Sequence, residues 1–185
     1  VACLYTAGRG KMNSVQAGRL RKTMLWRDDR EGFLATLKQD IHKFTKYCEK
    51  RGIQPVVRLN GTSDIMWENY LDMETEFPTV QFYDYTKIVK RAYKALPSNY
   101  HLTLSYSEAN ADYAQSVLQA HKDTGRNVAV VFREKDSMPS SFAGSATLDG
   151  DKDDLRFLDA SQHVVALYAK GDAKKDASGF VIDTH

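Results

Sequence analysis

Four segments of the chain change from apolar to polar in the same direction, and this recurring change is the strongest constraint on the fold. The segments are residues 56–64 (VVRLNGTSD), 80–87 (VQFYDYTK), 101–108 (HLTLSYSE) and 127–134 (NVAVVFRE). Each is rich in the β-branched and aromatic residues that favour strands. Ligands bind beyond the carboxyl ends of parallel strands in α/β sheets and barrels. The pattern therefore predicts parallel strands whose polar ends share one site.

Helical patterns separate these strands. Helices are predicted over residues 14–26, 29–51, 65–73, 86–96 and 109–124. This alternation favours parallel pairing. A closed eight-stranded barrel needs about 250 residues, and about six or seven strands fit in this chain. The predicted fold class is therefore α/β, with a mostly parallel, partial (incomplete) β/α barrel of six to seven strands. A doubly wound open sheet is the alternative.

Length and composition predict a single α/β domain over residues 1–185, with an N-terminal basic helical region over residues 1–52. The chain has 185 residues, of which 42% are hydrophobic, and it shows no internal repeat or low-complexity linker. Because the first residue is Val1, we expect residues upstream of it. No apolar run approaches the ~18 residues of a membrane span, so no membrane partner is expected. Two cysteines are too few for a disulfide scaffold, which favours a reducing, cytoplasmic setting.

Positive charge is concentrated in the first third of the chain. Residues 1–58 hold 13 Lys/Arg against 5 Asp/Glu, a balance of +8, whereas the remainder carries −6. A basic segment of this kind can neutralise the phosphates of a nucleic acid or a nucleotide. The residues predicted to contact nucleic acid are Arg9, Lys11, Arg19, Arg21 and Lys22. The alternative is a solvated helix face.

The polar residues after the first predicted strand are suited to ligand binding. They are Asn60, Gly61, Thr62, Ser63 and Asp64. Gly61 lets the backbone approach a ligand closely, and Asp64 could bind an amine, a ribose hydroxyl or a metal ion. The alternative is an N-cap, which Ser63 or Asp64 would form before a helix. A functional role is preferred, since two polar residues precede the cap position.

The ends of the second and third strands add further candidates. Asp84, Lys87 and Glu108 can exchange protons or bind a polar substrate, and with Asp64 they are the predicted catalytic residues. Ser105 and Ser107 lie beside Glu108 at the end of the third strand. His101 stands at the start of that strand, away from the expected site, so we interpret it as structural. The acidic run at 149–154 predicts a polar turn, with a divalent-metal role as the alternative.

Several segments resemble the gene-product-eighty-eight-like domain, a family of phage and prophage proteins. The segments are CLYTAGRG (3–10), RLNGTSD (58–64), QFYDYTK (81–87), LRFLD (155–159) and GFVID (179–183). The resemblance extends over essentially the whole chain. It implies a phage- or prophage-encoded protein that works in the cytoplasm of the host cell.

Family members carry further cysteines just upstream of the position of Cys3. This arrangement resembles the cysteine loop of radical S-adenosylmethionine enzymes, in which three thiolates hold a [4Fe–4S] cluster. The resemblance implies that the full-length protein binds a [4Fe–4S] cluster, with Cys3 as a ligand, and S-adenosylmethionine. It places residues 60–63 beside the methionine amino group, and Ser105, Ser107 and Glu108 near the ribose or carboxylate. The sequence itself has one cysteine at this position, and one thiolate cannot hold a cluster.

Two classes of function follow from these patterns. The first is a phage-associated enzyme with its site at the strand ends, using radical chemistry on a nucleotide or a nucleic acid. The second is a non-catalytic or nuclease-like protein that binds nucleic acid through its basic N-terminal segment. The polar strand ends favour the enzyme, because phosphate contacts alone do not explain them.

Overall fold

The computed structural model describes residues 8–135 and 138–183, and its centre is a sheet of eight strands. In chain order the strands are β1 (Val56–Val57), β2 (Gln81–Thr86), β3 (Tyr100–Ser105), β4 (Val128–Phe132), β5 (Ser141–Phe142), β6 (Ser145–Asp149), β7 (Val164–Tyr168) and β8 (Val181–Ile182). The α-helices are α1 (Asn13–Asp28), α2 (Arg30–Glu49), α3 (Met73–Glu76) and α4 (Ala111–Thr124). The predicted α/β class is confirmed.

The sheet is open and mostly parallel. Strands β1 to β4 lie side by side in chain order and run parallel. After β4 the strand order no longer follows the chain. Strand β7 pairs with β4, and β6 pairs with the other edge of β7, so that β7 lies between β4 and β6. Strand β5 pairs with β6 in the antiparallel direction. Because the strand order departs from the consecutive order of a barrel after β4, the partial-barrel part of the prediction is not confirmed.

The C-terminal strand covers the ends of the central strands. Strand β3 pairs with the first residues of β4, and β8 pairs with its last two residues, Val131 and Phe132, in parallel. Gly179 makes this close approach possible, because a Cβ at this position would lie 2.7 Å from the backbone nitrogen of Ala109. Its backbone is also in the left-handed region, with φ of 85°. The polar end of β3 therefore lies beneath the C-terminal segment.

The two faces of the sheet have different coverings. Helices α2, α3 and α4 contribute Ile41, Met73 and Val117 to apolar clusters that also contain Leu102 and Leu104 of β3. The opposite face, here called the loop-covered face, carries Tyr83, Tyr85, His101, Thr103, Ser105, Val165 and Leu167. Residues 150–159 pack on this face, with the Phe157 ring 5.9 Å from that of Tyr83 and a close contact between residue 150 and β7.

Capping residues stand at the start of α2 and at both ends of α4. The Asp29 side chain accepts a hydrogen bond from the Gly32 amide and starts α2. Asn110 caps α4 in the same way, and Gly125 ends it with φ of 70°. These helices match the prediction, whereas the predicted helix at 86–96 is a 3-10 turn at Val89–Tyr93. Within the described residues, no helix is both long enough and apolar enough to cross a bilayer.

Candidate functional site

A buried polar network connects the end of β2 to the loop that follows β1. The carboxylate of Asp84 accepts hydrogen bonds from the Asn60 amide at 2.7 Å, from the Asn60 side chain at 3.2 Å and from the Tyr100 hydroxyl at 2.9 Å. The Asn60 side-chain oxygen accepts from Ser63 Oγ and from the Trp67 indole. Asn60 and Asp84 are therefore both buried and fully engaged within the protein.

A second carboxylate of the prediction, Asp64, lies in the same network through Arg91. The Arg91 guanidinium is fully buried and donates to Glu68 at 3.1 and 2.8 Å, to Asp64 at 3.1 Å and to Tyr100 at 2.9 Å. Asp64 also accepts from the Thr86 hydroxyl and from a backbone amide. Asp64 and Asp84 thus lie in one network, Asp64 by its ion pair with Arg91 and Asp84 through the Tyr100 hydroxyl that Arg91 also contacts.

Burial raises the pKa of Asp84 to about 6, against the hydrogen bonds and the arginine charges that favour its ionised form. The ordinary value is 3.8, so the folded protein keeps this proton over a pH range in which the unfolded chain loses it. The stabilisation associated with the proton is complete below pH 4 and is lost as the pH rises to about 6.

Asp84→Asn should remove this pH dependence. We expect the unfolding free energy of the wild type, relative to that of the variant, to fall by about 3 kcal/mol between about pH 4 and pH 7. Urea unfolding of both proteins across this pH range measures the difference between their unfolding free energies. The contributions of carboxylates that both proteins share cancel in this difference. A constant difference, or one that grows with pH, would contradict the raised pKa.

Three of the remaining candidates, Lys87, Ser107 and Glu108, contact the C-terminal segment, although Lys87 and Glu108 are themselves exposed. The Ser107 hydroxyl donates to the Gly179 carbonyl at 3.3 Å, and the Glu108 amide donates to the same oxygen at 2.6 Å. The Lys87 ammonium lies 4.6 Å from the centre of the Phe180 ring. Ser105 is half-buried on the loop-covered face. The predicted site is therefore divided between the Asp84 network and the residues around the end of β3.

Three members of the predicted glycine-containing loop remain on the surface. Gly61, Thr62 and Ser63 are exposed, and a Cβ at Gly61 would meet no described atom within 4 Å. No described part of the chain therefore packs against the backbone at Gly61.

The loop-covered face contains polar groups that the sequence patterns did not identify as a site. Asp154 accepts from Arg58 and from Tyr83 at 3.0 Å each, and from Tyr85 at 3.3 Å. Arg156 is fully buried beside β3. One signal was available, because Tyr83 and Tyr85 alternate with Asp84 and must point away from it.

The basic N-terminal segment is a separate surface. Arg9, Lys11, Arg21 and Lys22 are exposed, and Arg19 is half-buried. Helix α1 buries none of its 16 residues. It packs against the rest of the protein through Trp26, whose ring lies 5.3 Å from that of Trp67. Its outward side therefore consists of cations and exposed apolar side chains.

The donor set of an iron–sulfur cluster is not found in the described part of the chain. Cys3 lies outside the described residues, and Cys48 is buried on α2. Within 8–135 and 138–183, no group of three or more His, Cys, Asp or Glu side chains is placed to hold a metal ion. These residues therefore do not fit a [4Fe–4S] cluster, which needs several thiolates.

Fold and surfaces define an α/β protein with an open, mostly parallel sheet, helices on one face and a basic helix outside the core. The family model for gene product 88 matches residues 1–184. The chain belongs to the gene product 88 family, and this membership supports a phage-associated protein. No curated protein and no solved structure matches the chain.

Proposed function

We propose that this phage-associated protein binds nucleic acid, with α1 and the residues before it as the phosphate-contacting surface. The observation that carries the proposal is that α1 buries none of its 16 residues. Helices in globular proteins are normally stabilised by packing of an apolar face. A helix that contributes so little to the core is better explained by the surface that it presents.

The charge on this surface suits a phosphate backbone. Residues 8–30 carry seven Lys/Arg and two Asp/Glu, a balance of +5. Lys11 is paired with Asp172, and Arg27 with Asp28. No described residue forms an ion pair with Arg21 or Lys22, so both are available to a partner.

The amino end of α1 adds to the positive potential. Met12 stands at the N-cap and forms no side-chain capping bond, and the first turn contains no acidic residue. Within the described part of the chain, the first turn supplies no carboxylate to the positive end of the helix dipole, which therefore adds to the potential of the nearby cations. Both contributions attract phosphate groups.

Salt dependence tests the proposal directly. We expect the protein to bind single-stranded and duplex oligonucleotides of unrelated sequence, with a slope of log K against log [salt] of roughly −3 to −5, as five phosphate contacts predict. Fluorescence anisotropy at several salt concentrations measures this slope. If the protein does not bind at about 50 mM salt, the proposal is wrong.

The enzyme hypothesis is a separate proposal, and it depends on the resemblance to radical S-adenosylmethionine enzymes. The described carboxylates Asp64 and Asp84 bind partners within the protein, which supports a structural role for them. The [4Fe–4S] cluster and S-adenosylmethionine would require thiolates beyond the two cysteines of this sequence.

A further inference from the structure

The loop-covered face contains buried polar atoms that lack a hydrogen-bond partner among the described residues. These atoms are Arg156 Nε, Arg156 Nη1, Thr103 Oγ1, His101 Nε2 and Asp159 Oδ2. Buried polar groups in folded proteins are almost always hydrogen-bonded, so each exception calls for an explanation. Here the exceptions are found on one strand, β3, and on the turn that packs against it.

Arg156 is the most notable of these groups. Its side chain is 1% exposed, and only Nη2 donates hydrogen bonds, to the Asp153 carbonyl at 2.6 Å and to the Asp153 carboxylate at 3.3 Å. Nη1 lies 3.3 Å from Asp159 Oδ2 without forming a hydrogen bond. Three of the five N–H donors of a guanidinium are therefore left for another acceptor.

We propose that the loop-covered face binds a neutral, planar ligand that carries both carbonyl and N–H groups, the chemistry of a nucleobase. Carbonyl oxygens of the ligand accept from Arg156, and its N–H groups donate to Asp159 Oδ2. Thr103 and His101 complete the hydrogen bonding from β3. The site is distinct from the phosphate-contacting surface of α1 and does not depend on it.

The balance of charge favours a neutral ligand over an anion. Three cations and three carboxylates surround the unpartnered atoms. The cations are Arg58, Arg126 and Arg156, and the carboxylates are Asp153, Asp154 and Asp159. Burial and the charges of Arg126 and Arg156 lower the pKa of His101 to about 4, so its ring is neutral at pH 7. A site that offers N–H donors and a carboxylate acceptor, neither engaged in hydrogen bonds, matches a heterocyclic amide better than a phosphate.

Flat side chains on the same face suit a planar ligand. The rings of Tyr83 and Phe157 are 5.9 Å apart and tilted by 56°, and the Arg58 guanidinium lies 4.6 Å from the centre of the Tyr85 ring. Proteins commonly hold bases between aromatic rings and arginine planes while reading their edges by hydrogen bonds. The same combination of groups is present here.

The ligand reaches these atoms when residues 152–159 lift from the sheet, whereas Gly150 and Asp151 stay hydrogen-bonded to β7. Asp154 fastens this loop, because its carboxylate accepts from Arg58, Tyr83 and Tyr85. The Asp154 side chain is 56% exposed, so water can replace these hydrogen bonds at small cost. Opening also withdraws the buried Arg156 side chain and the Phe157 ring from the sheet.

Titration with free nucleosides tests the proposal. Adenosine, guanosine, cytidine, uridine and thymidine are the probes, with inorganic phosphate and acetate as anionic comparisons, by calorimetry and by NMR. We expect at least one nucleoside to bind and to shift the resonances of Thr103 and Arg156. Thr103→Val should weaken this binding by about tenfold or more without lowering the melting temperature, since it removes an unpaired hydroxyl.

Two further variants separate a ligand contact from a structural effect. Thr103→Ser keeps the hydroxyl and should retain binding, and Thr45→Val makes the same exchange on α2 and should leave binding unchanged. Binding of phosphate or acetate with no nucleoside bound would overturn the proposal, as would equal nucleoside affinity in the wild type and in Thr103→Val. Oligonucleotide binding through α1 is measured separately, so failure of one proposal does not decide the other.

Discussion

Arg91→Ala is expected to lower the unfolding free energy by about 3–5 kcal/mol, because it leaves buried carboxylates without their cation. The Arg91 guanidinium is 0% exposed and donates to Glu68, Asp64 and Tyr100. Glu68 is itself nearly buried, with 8% of its side chain exposed. Urea unfolding measures the loss directly, and a melting temperature lower by roughly 6–20 °C should accompany it.

Two variants provide the controls: replacement of an exposed arginine, and removal of the Glu68 charge in the Arg91→Ala background. Arg27→Ala removes a surface pair with Asp28 and should leave the unfolding free energy nearly unchanged. If the uncompensated charge is the cause, adding Glu68→Gln to Arg91→Ala should recover part of the loss. A loss below about 1 kcal/mol for Arg91→Ala would show that the network contributes little to stability.

The central part of the fold could be predicted from sequence because its signals are local. Strands β2, β3 and β4 are five or six residues long, rich in apolar residues and mostly buried, and helices α2 and α4 have capping residues at their starts. Strands β5 and β8 have two residues each and carry no periodic signal. The insertion of β7 between β4 and β6 depends on pairing between distant segments, which no local pattern encodes.

The polar strand ends were harder to interpret, because their partners are distant in sequence. Asn60 and Asp84 are 24 residues apart, and Arg91 and Asp64 are 27 apart. A polar residue after a strand looks the same in sequence whether it binds a ligand or closes a buried network. Arg156 was missed for the related reason that nothing in LRFLD (155–159) indicates burial of its guanidinium.

Arg21→Ala combined with Lys22→Ala is expected to weaken oligonucleotide binding by roughly 25- to 60-fold at about 0.1 M salt. Each phosphate contact contributes about 0.7 to 0.9 to the slope of log K against log [salt], so loss of two contacts should reduce its magnitude by about 1.4 to 1.8. The two side chains are exposed and outside the core, so the melting temperature should not change. Anisotropy titrations of both proteins measure the affinity and the slope together.

Leu20 and Met24 offer a matched control on the same helix, because they are 61% and 45% exposed and uncharged. Leu20→Ala combined with Met24→Ala removes apolar surface from α1 without changing its charge, and it should leave both the affinity and the salt slope unchanged. If this variant loses binding while Arg21→Ala/Lys22→Ala retains it, α1 docks through its apolar side chains. The proposal that α1 contacts phosphates would then be wrong, because contacts between apolar groups do not release counterions from a nucleic acid.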